Sequence, residues 1–190
     1  TDTTEREGPV SVPAVSDIQL LPAGVDLALV SLRADAVLGA LEHLAANGCS
    51  AAMVPSAGLD PTAAAALREF ARTSSMAVHG PNCMGVINVS DGFAPWFYDD
   101  TLTSQRPGPI SLVSQSGSAA FLTRAVEGSG FSKIISTGNE FGLTTADYVA
   151  WLADDPDTTT VGLVLESIAD VPSFIDAVAR LRDAGKRAVV

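Results

Sequence analysis

Short apolar runs alternate with stretches of helical periodicity along most of the chain. Residues 25–32 (VDLALVSL) are predicted as a strand. The following segment, residues 34–48, brings Val37, Leu38, Leu41, Leu44 and Ala45 onto one helical face, with Gly48 as its C-terminal stop. Residues 50–56 (SAAMVPS) give the next strand, residues 61–72 a second helix, and residues 76–80 (MAVHG) a third strand. After a polar and aromatic stretch come PISLVS, a helix opened by Ser116, and FSKIIST. A helix over 145–153 follows, in which Thr144 and Asp147 are spaced as a capping box. TTVGLVLES reads as a buried strand; Phe174, Ala177, Val178 and Leu181 mark an amphipathic helix, and RAVV begins a last strand.

Strand–helix alternation through short Gly/Pro/Ser connections predicts an α/β fold, with parallel sheets and helices on both faces. The rhythm breaks between about residues 90 and 109, SDGFAPWFYDDTLTSQRPGP. Two domains are therefore expected, 1–92 and 109–190, joined by a connection over 93–108. Phe93, Trp96, Phe97 and Tyr98 are four of the eleven aromatics, and an interdomain plug is their expected role, with an acyl-group pocket as the alternative. Both ends look cut: the start is extended and turn-rich, and RAVV stops inside an apolar run. A piece of a longer protein is expected.

Composition sharpens this reading. The chain has 190 residues, 47% hydrophobic and 17% charged, with a mean hydropathy of +0.28. That is enough apolar material for a packed core, yet no run reaches the roughly 18 apolar residues of a membrane span. TDTTEREG carries no secretory signal pattern, and Cys49 and Cys83, far apart, point to neither a disulfide framework nor a metal site; a cytoplasmic location is expected. With 22 acidic against 11 basic residues, the net charge of −11 opposes binding to nucleic acid or an anionic membrane. An anionic ligand has to be held by local devices such as helix N-termini.

Ligands of open parallel sheets bind at the carboxyl ends of strands. Five such ends here are rich in small or polar residues: SLRAD, VPSAG, HGPNCMG, VSQSGS and STGNE. In VSQSGS, unpaired amides at a helix start, the hydroxyls of Ser114 and Ser116, and close approach at Gly117 suit an anion; plain capping by Ser116 is compatible with that use. A serine-nucleophile elbow is disfavoured, because Ser114-x-Ser116-x-Ser118 departs from G-x-S-x-G and both histidines, His43 and His79, precede it. A nicotinamide fold lacks its G-x-G-x-x-G. His43 reads as solvated, His79 as a packing or ligand-edge residue, and Asp154, Asp155 and Asp157 as a solvated helix end.

The ordered set GPNCMGVIN, GPISLVSQSGS, GFSKIISTGNE and ADYVAWLADDPDTTTVGLVLESI resembles the ADP-forming acyl-CoA synthetases, relatives of the succinyl-CoA synthetase alpha subunit. The resemblance runs from about Gly8 to Val190. It implies an incomplete Rossmann-like CoA-binding domain followed by the first part of a flavodoxin-like parallel-sheet ligase domain. It further implies an acid–thiol ligase that makes acyl-CoA from a small carboxylic acid, CoA and ATP, releasing ADP and phosphate through an acyl phosphate and a phosphohistidine. By the same resemblance, Ser31, Leu32 and Arg33 with Pro55, Ser56 and Ala57 line the CoA cleft, and Asn82 and Cys83 lie near its thiol end. Ser114, Gln115, Ser116 and Gly117 receive the phosphoryl group, and Glu166 orients the histidine. On the residues alone, a carboxylate that simply emerges into solvent is an equal reading of Glu166.

The family's glycine-rich phosphate loop is expected before Thr1 and its histidine beyond Val190. ATP/ADP with Mg belongs to an ATP-grasp domain or subunit outside these residues, so the piece alone is expected to be inactive, and the full-length protein to be oligomeric. Where relatives often carry an acidic residue after GNE, this chain has Phe141-Gly142. The alternative function is a non-catalytic CoA-binding regulatory module of a larger protein, such as a lysine acetyltransferase.

Overall fold

A computed structural model describes residues 13–98, 106–123 and 130–190. Most of the start, and residues 99–105 of the expected connection, lie outside the described residues.

The first unit is a parallel three-stranded sheet in the order β1 (Leu27–Leu29), β2 (Ala51–Met53), β3 (Ala77–His79). Its crossovers are α1 (Ala34–Ala46) and α2 (Pro61–Thr73), which pack against each other. Helix α1 buries Val37, Ala40, Leu41 and Leu44, and the chain leaves it through Gly48 at φ +80°, a conformation that favours glycine. Helix α2 starts cleanly because the Asp60 carboxylate accepts the Ala63 N–H at 2.8 Å and Pro61 needs no amide partner. With Val54, Leu67, Met76 and Val78, the α1 residues form this unit's core.

The second unit is a five-stranded sheet in the order β4 (Gly85–Asn88), β6 (Phe131–Ser136), β5 (Pro107–Ser114), β7 (Thr160–Val164), β8 (Arg187–Val189). Alternation sorts its side chains: Val113, Ile135, Val161 and Leu163 meet α4 (Thr145–Asp154) and α5 (Val171–Asp183), whereas Leu112, Ile134 and Phe131 meet Ala120 of α3 (Gly117–Thr123). The expected capping box is present at α4, where the Asp147 carboxylate accepts the Thr144 N–H at 2.8 Å.

Three expectations need correction. Residues 85–88, not expected as a strand, form β4 and pair antiparallel with β6, giving the second sheet one antiparallel edge. The aromatic segment does not plug the two units: Trp96 bridges to Gly85 and packs with the α3-side core, while Phe93 and Tyr98 are exposed. Asp155 is not solvated but forms a buried ion pair with Lys133 at 2.8 Å.

The plug is instead the loop after β6. Its amides at Asn139, Phe141 and Leu143 donate to the carbonyls of Pro81, Gly80 and Val78 at 2.8, 2.9 and 2.8 Å. Phe141 enters the first core and is covered by the Arg68 guanidinium, 3.7 Å from its ring centre. Phe141-Gly142, which follows GNE, thus acts as an inter-unit contact. Gly138, at φ +65°, is required here because a Cβ would lie 2.3 Å from the Pro81 carbonyl oxygen. Gly138→Ala is expected to cost about 2–4 kcal/mol in chemical denaturation; a neutral result would mean that the loop docks differently.

Candidate functional site

All five polar strand ends lie at the carboxyl edges of the parallel strands, and hydrogen bonds join them in sequence. Ser56 is the hub of the first unit: its hydroxyl donates to the Leu32 carbonyl, and its own carbonyl accepts the Asn82 amide at 3.0 Å. Asn82 Nδ2 then donates to Asn139 Oδ1 at 3.2 Å, crossing to the second unit. Next to Asn82, the Met84 amide donates to Ser136 Oγ at 3.1 Å, and the Met84 side chain lies against Gly117, 3.0 Å from where a Cβ would stand. The structure therefore brings together Ser31–Arg33, Pro55–Ala57, Asn82 and the Ser114–Gly117 turn. Asn82 and Glu140 both adopt left-handed backbone, at φ 59° and 55°, the local strain that tends to gather at functional edges.

An open cleft of about 400 Å³ separates the starts of α1 and α2, lined by Arg33, Ala34, Asp35, Gly58, Asp60 and Ala63. Two thirteen-residue helices start at this space, although Pro61 carries no N–H and the Ala63 N–H is already taken by Asp60. Arg33 stands at the rim, in an exposed ion pair with Asp35 at 3.3 Å. Ser31 and Leu32 also line a larger, mainly apolar cleft of about 500 Å³ beside β1, which is an edge strand among the described residues.

Several predicted contact groups are already committed to the fold. The Cys83 thiol is buried and donates to the Val54 carbonyl, and burial pushes it up to about 12, so it is a packing group and not a reactive or ligand-facing one. Ser114 is fully buried and its hydroxyl donates to the Ser116 carbonyl at 2.7 Å. The Gln115 amide N–H joins the Val164 carbonyl at 3.0 Å. Its side chain accepts from the amides of Glu166 and Ser167, at 2.7 and 3.0 Å, and donates to the Ser167 carbonyl at 2.8 Å. The turn's groups left facing the edge are the Ser116 hydroxyl, which caps the Ala119 amide at 3.3 Å, and the first amides of α3.

Glu166 is exposed, on a loop next to that turn. Of the two histidines, His43 is half-buried with Nε2 3.0 Å from Asn47 Nδ2. His79 is buried, with Nδ1 2.6 Å from the Tyr148 hydroxyl across the unit boundary. Sequence reasoning missed Glu140, whose carboxylate accepts from the hydroxyls of Thr137 and Thr145 at 2.8 and 2.5 Å and so ties the loop after β6 to α4. The STGNE pattern gave its position but not its partners. No group of three or more metal-ligating side chains occurs among the described residues, nor any helix long and apolar enough to cross a membrane.

Comparison with known proteins also gives two domains, with the β4 residues counted in the first. Residues 2–89 match the family described as a CoA binding domain, and residues 107–190 the succinyl-CoA ligase like flavodoxin domain. A trans-feruloyl-CoA synthase from an unknown prokaryotic organism is 30% identical over 98% of this chain and 28% of its own length. The alpha subunit of an ADP-forming acetate–CoA ligase II from Pyrococcus furiosus is 29% identical over 90% of this chain and 38% of its own. Among solved structures, the apo form of a dinucleotide-forming acetyl-coenzyme A synthetase 1 from Ca. Korarchaeum cryptofilum superposes with a TM-score of 0.83 at 26% identity, covering 95% of this chain and 41% of that one. The same synthetase has been solved in complex with phosphate and ADP. The chain spans between about a quarter and two fifths of these relatives.

Proposed function

The chain belongs to the ADP-forming acyl-CoA synthetase family, and from that premise we propose that it supplies the CoA-binding and phosphoryl-receiving edges of an acid–thiol ligase. The reaction joins a carboxylic acid to CoA while ATP becomes ADP and phosphate, by way of an acyl phosphate and a phosphohistidine outside these residues. Relatives are named for acids from acetate to trans-ferulate, so the acid is proposed only as a carboxylic acid. ATP with Mg is assigned to an ATP-grasp module beyond this chain.

The observation that carries this reading is the continuous run of hydrogen bonds from Leu32 through Ser56 and Asn82 to Asn139, beside the turn that contains Ser116. It places a cleft between two helix starts next to a second anion-favouring turn. At the α1–α2 cleft the group proposed to meet a CoA phosphate is Arg33, which would exchange its exposed pairing with Asp35 for the ligand. Asn82 stands where the first edge passes into the second, near the proposed thiol end. Ser116 offers a hydroxyl and helix amides to a phosphoryl group. Glu166, which is exposed, is assigned the role of accepting a hydrogen bond from the imidazole and fixing its tautomer.

Calorimetry and phosphoenzyme assays on the full-length protein test these roles. Asn82→Gly keeps the left-handed backbone while deleting the amide, and is expected to weaken CoA binding about tenfold. Ser116→Ala is expected to lower phosphoenzyme yield by a similar factor, about tenfold, with CoA affinity unchanged. Wild-type values in both variants would overturn the assignments.

A further inference from the structure

We propose that Gln115 is a positioning residue that sets Glu166 against the Ser114–Gly117 turn, and not a phosphoryl ligand. Its backbone extends the β5–β7 pairing through the Val164 carbonyl. Its side chain then reaches the exit of β7 and brackets the main chain there. One amide oxygen takes two successive N–H groups, of Glu166 and Ser167, and the amide nitrogen closes the bracket on the Ser167 carbonyl. All three bonds lie between 2.7 and 3.0 Å. A primary amide accepts two N–H bonds on its oxygen and donates a third from its nitrogen, which matches this arrangement.

The bracket matters because the loop it holds is otherwise exposed from Glu166 to Asp170. Ser116 is the next residue along from Gln115, so a single side chain fixes the spacing between the turn and the root of Glu166. A carboxylate that orients another group needs its backbone held to a fraction of an ångström. The main-chain N–H and one of the two side-chain N–H groups of Gln115 are committed to main-chain carbonyls, and its amide oxygen is taken by two N–H groups, so the side chain is anchored in the bracket. This inference rests on the ligase reading for its functional consequence, but the bracket itself does not.

Two substitutions separate the alternatives. Gln115→Glu keeps an oxygen that can accept both N–H groups but loses the donor and turns a second carboxylate oxygen toward the Ser167 carbonyl, whereas Gln115→Met removes all three bonds at similar length. A bracket predicts that the glutamate variant falls between wild type and methionine. A direct phosphoryl contact predicts the reverse, since a carboxylate facing phosphate is worse than an uncharged thioether. In hydrogen exchange on the chain, the Glu166 and Ser167 amides of Gln115→Met are expected to exchange about tenfold or more faster, with α4 unchanged. In the full-length protein, phosphoenzyme formation is expected to fall about tenfold or more, while the KM for CoA stays within about twofold. A glutamate variant worse than methionine, or unchanged exchange or phosphoenzyme yield in the methionine variant, overturns the proposal. A wild-type protein that forms no phosphoenzyme overturns the ligase reading instead, and exchange still decides the bracket.

Discussion

Asp155→Ala is expected to destabilise the protein by about 3–5 kcal/mol, because it strands a buried lysine charge. Lys133 lies on β6, an interior strand whose six residues are all buried. Its side chain is 3% exposed and that of Asp155 8%. The Lys133 ammonium donates to Asp155 Oδ2 and to Ser132 Oγ, at 2.8 and 2.9 Å. The Thr158 hydroxyl donates to the same carboxylate oxygen, and Ser111 lies 2.7 Å from Thr158. Burial works to raise the Asp155 carboxyl, but the hydrogen bonds from Lys133 and Thr158 outweigh it and hold the group below the usual carboxylate range.

Lys133→Met alone should cost less, since the bare carboxylate keeps its threonine and can take a proton. The double variant Lys133→Met/Asp155→Leu should recover most of the loss, as a buried pair replaced by apolar groups of similar size is often near neutral. Urea denaturation of the three variants decides the matter. A cost under about 1 kcal/mol for Asp155→Ala would mean that water reaches the lysine and that the pair behaves as a surface one.

This pair also shows where sequence reading reaches its limit. DDPDT is polar throughout, so Asp155 looks solvated; the signal was the lysine inside FSKIIS, a charge that a buried strand must pair. Strands with long apolar runs, such as β5 and β7, and helices with caps, such as α2 and α4, were legible because burial and capping are local in sequence. Strand β4 was not, since GVIN has two apolar residues and gains its identity from antiparallel pairing with the distant β6. At the candidate site, residue types and positions were legible while directions were not. Ser114, Gln115 and Cys83 have the chemistry of ligand contacts, yet their hydroxyl, amide and thiol all turn to main-chain partners. Phe141 read only as a departure from the resemblance after GNE; the fold shows that it enters the neighbouring unit's core.

The unit boundary carries the second large effect, a loss of stability on mild acidification. His79 is 2% exposed, its ring packed edge-on against Tyr148 at 5.7 Å between centres. Burial lowers its pKa to about 4, against a smaller upward contribution from the Ser136 backbone. An unfolded histidine titrates near 6.5, so between these values the unfolded chain binds a proton that the folded one refuses. Stability is therefore complete above about pH 6.5 and falls as pH drops toward 4, with about 3 kcal/mol lost over the window and about 2 between pH 7 and 5. Asp155 adds its own loss only at lower pH, below the ordinary carboxylate range. His79→Leu/Tyr148→Phe removes both polar partners together, so that neither is left buried and unpaired. Its urea midpoint should change much less between pH 7 and 5 than that of the wild type. An equal slope in the double variant would show that His79 takes up its proton without opening the boundary. Because the ring bridges β3 and α4, its protonation acts on the contact that aligns Asn82 with Asn139. Loss of CoA affinity should therefore accompany, and not follow, the loss of stability over the same pH window.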